Sequence, residues 1–145
     1  MKVKRYKIVS TQEEFEHPVI KITSSHLMAN YLRQIWHDDM SVIESFYAIY
    51  LDRANNIKGV ALISTGGTNH TICDIKVIFK YAVDLLAEAI ILSHNHPSGN
   101  NQPSEEDKKI TKKIQTVANC LGVTVLDHII MTEENYFSFA DEWQM

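Results

Sequence analysis

Apolar residues recur along this chain at two spacings, and the switches between them mark its elements. Residues 2–9 alternate, with Val3, Arg5, Lys7 and Val9 on one side and Lys4, Tyr6 and Ile8 on the other, which predicts a half-exposed or edge strand. Residues 12–23 hold Pro18 and a short run of Val19, Ile20 and Ile22, a connection with one extended piece. Ser24 or Ser25 is placed to cap a helix in which Leu27, Met28, Tyr31, Leu32, Ile35 and Trp36 share one face at three- and four-residue steps. Residues 42–52 are apolar, aromatic and β-branched, and predict a strand. Glu44, Phe46, Ala48 and Tyr50 fall on one of its faces; Ile43, Tyr47, Ile49 and Leu51 fall on the other. A turn at Asn55-Asn56 then returns residues 58–65 as its hairpin partner.

Gly66, Gly67, Thr68 and Asn69 make a flexible loop that lacks the lysine and spacing of a phosphate-binding loop, and His70 within it reads as solvated. Residues 77–87 form a largely buried helix, with Ile78, Ala82, Leu85 and Leu86 on one face and Phe79 and Val83 widening it. Residues 89–92 are apolar without alternation, as in an interior strand covered on both faces. That strand delivers Ser93 and His94 to its C-terminal end, where sites in α/β sheets gather. A helix from 104 to about 121 follows, with an apolar stripe of Ile110, Ile114, Val117 and Leu121 and a stop at Gly122. Its other side carries Lys108, Lys109, Lys112 and Lys113, a solvated face with Glu105 four residues before Lys109. Residues 123–131 give another interior strand, in which Asp127 and His128 are the polar exceptions, and 136–139 a last short one. The sum is one α/β domain over residues 1–145, a curved mixed sheet flanked by about three helices.

Composition narrows the class without naming a function. With 145 residues, 45% hydrophobic and 22% charged, the chain is long enough for a single substantial core and has the balance of a soluble globular protein. The net charge of -4 and pI of about 5.9 do not support nucleic-acid binding by bulk electrostatics. No apolar run approaches the length needed to span a bilayer, and residues 1–7 are basic without a following apolar segment, so no membrane role and a cytoplasmic setting are expected. Cys73 and Cys120 have neither zinc spacing nor the number for a disulfide framework. His26 and His37 flank the first helix as surface histidines.

The chemistry concentrates between residues 93 and 107. His94 and His96 are two apart, so on an extended backbone both side chains leave one face and can converge on a metal. Pro97, Gly99 and Pro103 bend the chain so that Asp107 can return as a carboxylate ligand. Two imidazoles and a carboxylate suit zinc, and three protein ligands leave a position for water, as in catalytic sites. Ser104 and Asp107 also have the spacing of a helix capping box, in which the carboxylate would serve only a backbone N–H. Asp107 nevertheless lies one step ahead of the apolar stripe, which turns its side chain inward. Glu44 is the odd charge in an apolar strand, either a guard at the strand's end or part of a site. His128 reads as a core histidine satisfied by hydrogen bonds, with a fourth ligand role as the alternative.

These residues resemble the JAB/MPN (JAMM) metallopeptidase domain, specifically its RadC-like branch. The family pattern is a distant Glu, then H-x-H, seven residues, Ser, two residues and Asp; His94-Asn95-His96, residues 97–103, Ser104 and Asp107 fit it. The RadC wording His-Asn-His-Pro-Ser-Gly, followed by Pro-Ser and Asp, recurs at residues 94–99, 103–104 and 107. Weaker echoes are Glu44 before Phe46, Leu51-Asp52, Gly67-Thr68 and residues 127–130, and the resemblance covers roughly 24–140. It implies zinc held by His94, His96 and Asp107, Glu44 as general base, Ser104 as a donor to the oxyanion or to water, and hydrolysis of a peptide or isopeptide in a peptide or protein substrate. If the face that Glu44 shares with Phe46 is buried, its pKa would rise into a useful range. Asn95 and Ser98 are expected to stabilise the turn.

Two rival readings accompany this one. RadC-like proteins commonly carry an N-terminal helix-hairpin-helix, a DNA-associated module, and the family name implies DNA repair or a metal-dependent nuclease. Here the chain opens on a strand-like stretch, and the single-metal ligand set also speaks against phosphodiester cleavage, which often uses paired metals. A binding module without turnover is the other rival, opposed by the presence of both Glu44 and Ser104. A zinc deaminase is disfavoured because no P-C-x-x-C partner accompanies the histidines. Oligomeric state is not readable from the sequence.

Overall fold

Residues 19–66, 73–142 and 144–145 are described in the computed structural model of the chain. The alternating stretch at 2–9, most of the glycine-containing loop and His70 lie outside the described residues. The elements run α1 (Ser25–Ile35), β1 (Ser45–Leu51), β2 (Ile57–Thr65), α2 (Ile75–Asp84), β3 (Ala89–Asn95), α3 (Glu105–Cys120), β4 (Thr124–Met131) and β5 (Tyr136–Ser138). They build the expected α/β fold, a five-stranded mixed sheet in the order β2-β1-β3-β4-β5. β1 pairs antiparallel with both β2 and β3, β3 pairs parallel with β4, and β5 closes antiparallel on β4. A parallel pair needs a long crossover, and α3 supplies it. Among the described residues no helix is long and apolar enough to cross a membrane.

Both faces of the sheet are covered, which is why β1 and β3 are buried along their whole length. Phe46, Ala48 and Tyr50 of β1 pack with Ile78, Phe79 and Ala82 of α2 and Ile114 and Ala118 of α3. Tyr47, Ile49 and Leu51 pack with Met28, Ala29, Tyr31 and Leu32 of α1 on the other side. The alternation read from the sequence therefore assigns each β1 residue from Phe46 to Leu51 to its observed layer. Tyr50 adds a polar tie, its buried hydroxyl donating to the Ile78 carbonyl at 2.8 Å. The extended piece before α1 is also present: Lys21 bridges to Asn56, and the Ile22 N–H reaches the Asn55 carbonyl.

Boundaries moved in informative ways. β1 starts at Ser45 rather than 42, so Glu44 lies just ahead of it. β3 runs on through Asn95, carrying His94 inside the sheet. α2 begins at Ile75, capped by the Asp74 carboxylate on the Lys76 N–H, and ends at Asp84, three residues earlier than expected. Its end is a Schellman closure: the Ala87 N–H bonds the Ala82 carbonyl at 2.9 Å and the Leu86 N–H the Val83 carbonyl at 3.1 Å. Leu86 occupies the left-handed position at φ 49°. The early stop takes Leu86 off the helical stripe and leaves it 78% exposed, with Val83 at 53%, so the largely buried face expected for this helix is not formed at that end. α3 closes in the same way with Gly122 at φ 70°. Leu121 at its C-cap is half exposed instead of completing the stripe, and the buried side is Thr111, Ile114 and Ala118. On the solvated face the ion pairs are Glu105 with Lys108 and Glu106 with Lys109, one residue shorter in spacing than the expected Glu105–Lys109 pair.

Candidate metal centre

His94 is the penultimate residue of β3 and is only 3% exposed, on the sheet face that α3 covers. His96 lies just past the strand, where its N–H still bonds the Met131 carbonyl of β4 at 2.9 Å. Extended backbone between them puts both rings on one side, and their Nε2 atoms lie 2.9 Å apart. The chain then turns: the Gly99 N–H bonds back to the His96 carbonyl at 3.1 Å, with Pro97 second in the turn and Gly99 at φ 82°. Ser98 belongs to this turn, its hydroxyl accepting the Asn100 N–H.

α3 brings Asp107 back to the histidines. Its Oδ1 is 3.1 Å from His94 Nε2 and its Oδ2 is 3.2 Å from His96 Nε2. The capping box is present as well: Ser104 Oγ accepts the Asp107 N–H at 3.1 Å, and Oδ2 accepts the Ser104 N–H at 2.8 Å. The two readings of Asp107 are thus one arrangement, because the cap uses one face of the carboxylate and aims the rest at the imidazoles. Burial opposes a charge on Asp107, but its contacts with the His94 and His96 rings and the Ser104 N–H outweigh it and hold the carboxyl well below its usual range.

His96 Nδ1 is 2.7 Å from the Asn100 carbonyl, which can only accept, so this nitrogen carries the proton and Nε2 presents a lone pair. Two ring nitrogens 2.9 Å apart and a carboxylate therefore converge on one point with a shortage of hydrogens to share. Such a cluster needs a positive charge. A proton meets the need in part: burial disfavours it on His96, yet the contacts with Asp107 and the Asn100 carbonyl raise the ring's pKa. A metal ion meets it with the donor atoms already aimed, and the nitrogen–oxygen set fits zinc.

Glu44 completes the constellation from the far side of the sequence. One carboxylate oxygen of this half-buried residue and one nitrogen from each of His94 and His96 lie within 4.8 Å of one another. Two carboxylates, Asp107 and Glu44, thus flank the imidazole pair. His26 and His37 are exposed, on the first helix and at its exit, and neither belongs to this group.

Three further residues hold the site together. Asn95 is fully buried on the strand side opposite His94; its Oδ1 accepts the Ser45 N–H at 2.7 Å, and its Nδ2 donates to the Met40 and Ile43 carbonyls at 2.9 and 2.8 Å. It thereby fastens the segment that carries Glu44 to the strand that carries His94. His128 of β4 is completely buried; its Nε2 is 2.8 Å from His94 Nδ1 and its Nδ1 is 2.6 Å from Thr111 Oγ1. Its ring stacks on Phe139 and meets Phe46 edge-on. Burial first, then the neighbouring His94 ring, keeps His128 neutral, its pKa well below the usual value.

The match with known proteins spans this site. A family model described as the RadC-like JAB domain fits residues 22–144. The chain belongs to this family. Among relatives of this RadC-like JAB domain, a UPF0758 protein of Flavobacterium johnsoniae is 46% identical over 99 residues, 68% of this chain and 43% of that protein. A UPF0758 protein of Porphyromonas gingivalis is 42% identical over 100 residues. A third, from Fusobacterium nucleatum, is 36% identical over 124 residues, 85% of this chain and 52% of its own length. The chain spans about half the length of the curated relatives it matches.

Within this RadC-like JAB domain, Thr111 escaped sequence reasoning altogether, and Asn95 was expected only to stabilise a turn. The strand read from the sequence stops at 92, so nothing marked Asn95 as a buried amide that must spend its donors and acceptor on partners. The one signal for Thr111 is its place four residues after Asp107, on the same helical face.

Proposed function

We propose that this domain is a zinc-dependent hydrolase of peptide or isopeptide bonds, with His94, His96 and Asp107 as the metal ligands. The observation that carries the reading is the convergence of His94 Nε2, His96 Nε2 and the Asp107 carboxylate within 2.9–3.2 Å, an arrangement short of positive charge. When bound there, zinc supplies Lewis acidity, lowering the pKa of a water molecule and polarising a scissile carbonyl. Either Asp107 or Glu44 is near enough to share the histidines' ion; Asp107 is the ligand in this reading because it sits against both rings and is fixed by its cap. Glu44 is then the base. It takes a proton from the water as the oxygen attacks the carbonyl carbon, and passes it to the amine nitrogen as the C–N bond breaks. Ser104 contributes its oxygen to the helix cap and keeps its hydroxyl hydrogen to donate to the oxyanion. Cys73, whose pKa burial pushes up to about 12, is no rival nucleophile. A cytoplasmic setting, with both cysteines free, belongs to the same proposal.

Metal analysis of the purified protein, followed by cleavage of a peptide library, tests this. The expected result is about one zinc per chain, lost in His96→Ala, and cleavage abolished in Glu44→Gln with zinc retained. Zinc retained without cleavage of any peptide or isopeptide would leave a binding module, and no zinc in the wild type would overturn the reading.

A further inference from the structure

The bonds behind His94 have a direction, and it can be read from one atom that has no choice. The backbone carbonyl of Asp107 can only accept, and it lies 2.6 Å from Thr111 Oγ1. At that distance the Thr111 hydroxyl must donate to it, because two oxygens facing each other with lone pairs would repel. Its single hydrogen is then committed. Thr111 Oγ1 is also 2.6 Å from His128 Nδ1, so there the oxygen accepts and His128 carries its proton on Nδ1. A neutral imidazole has one N–H, which leaves His128 Nε2 with a lone pair. That nitrogen is 2.8 Å from His94 Nδ1, which must therefore be the donor. Neutral His94 is left with its lone pair on Nε2, the atom facing His96 and Asp107.

We infer that Thr111 and His128 are positioning residues that fix His94 in its Nδ1–H tautomer and present its Nε2 to the metal. The inference rests on the metal reading for its purpose but on the bonds alone for its direction. Two details support a dedicated arrangement. The Asp107 residue that starts the sequence with its carbonyl ends it with its carboxylate, so the path Asp107–Thr111–His128–His94 closes on itself. The His128 ring is held by Phe139, stacked at 5.0 Å between centroids and 12° between planes, and by Phe46 at 5.6 Å; it has no water-facing alternative at 0% exposure. A hydrogen-bonded neighbour of this kind sets both the orientation and the basicity of a ligand imidazole.

The test uses the whole chain and two readouts. In metal-free protein at pH 8, nitrogen-15 ring spectra should show His94 protonated at Nδ1 and bare at Nε2. Titration with zinc alone should then show affinity about 10–100-fold weaker in Thr111→Val and His128→Leu. Thr111→Ser keeps the hydroxyl and should bind within about threefold of wild type, the margin of context effects on one interaction. His128→Gln, whose amide can accept from His94 and donate to Thr111, should recover part of the loss and guards against a Leu variant that fails to fold. A wild-type His94 protonated at Nε2 overturns the inference, as does unchanged zinc affinity in folded Thr111→Val alongside an unchanged His94 tautomer. Failure of the wild type to bind zinc would refute the metal reading while the ring spectra still decide the direction of the bonds.

Discussion

Asn95 stands between the two histidines and serves neither of them. Its three hydrogen bonds to Met40, Ile43 and Ser45 hold the entry to β1, and Asn95→Ala would strand two carbonyls and an N–H in a buried place. The expected loss is roughly 2–4 kcal/mol by urea denaturation, from the cost of unmade buried hydrogen bonds. Asn95→Asp should be no milder, because it keeps an acceptor for Ser45 but sets an anion against two carbonyls. The pH dependence of the centre is set at His96, whose folded pKa lies above the ordinary value. In metal-free protein the stabilisation from its proton is complete below the unfolded pKa and is lost as pH rises through the raised folded value. Zinc must displace that proton, so its affinity should climb with pH over the same interval, and calorimetry in buffers of different ionisation enthalpy should count the proton released. At this scale the sequence was legible where spacing alone sets geometry, as for His94, His96 and Asp107. Asn95 was not legible as a site residue, and His128 only as a hydrogen-bonded core histidine or a fourth ligand, since their partners are 50 and 34 positions away and meet them only through strand pairing.

The two main helices after β2 end with the same closure but different residues in the left-handed position. Gly122 occupies it without penalty, whereas Leu86 at φ 49° bears the steric cost of a Cβ there. Leu86→Gly should therefore stabilise the domain by about 0.5–1 kcal/mol in chemical denaturation, the strain relieved exceeding the entropy added to the unfolded chain. Gly122→Ala should cost about 1 kcal/mol for the converse reason. Element existence was readable from periodicity, and the stop of α3 from its glycine. The stop of α2 was not, because a leucine gives no sign that it will adopt a positive φ, and its apolar character pointed the other way. β3 was underestimated because Ser93, His94 and Asn95 look like loop residues; they are strand residues because each finds a buried partner, Ser93 on the Ile129 carbonyl at 2.8 Å.

For the molecule as a whole, the proposed ion would bind a centre assembled from the segment before β1, the end of β3, the start of α3 and, behind them, β4. Ligand that binds only the folded state adds stability, about 2.7 kcal/mol at a free concentration a hundredfold above Kd. Saturating zinc should raise the midpoint of thermal unfolding by about 5–10 °C for a chain of this size, and a chelator should reverse it. The layering was readable because β1 alternates cleanly between two apolar sets; the strand order was not, since hairpin and crossover both leave the same marks in a linear pattern. The closed path through Asp107, Thr111, His128 and His94 also bears on the order in which the protein is made. Glu44 leaves the ribosome first and the histidine pair some fifty residues later, but His128 arrives only after the whole of α3. A nascent chain therefore holds the outer donors before the residue that orients His94 has been made, and the centre can be complete only once β4 has its place beside β3.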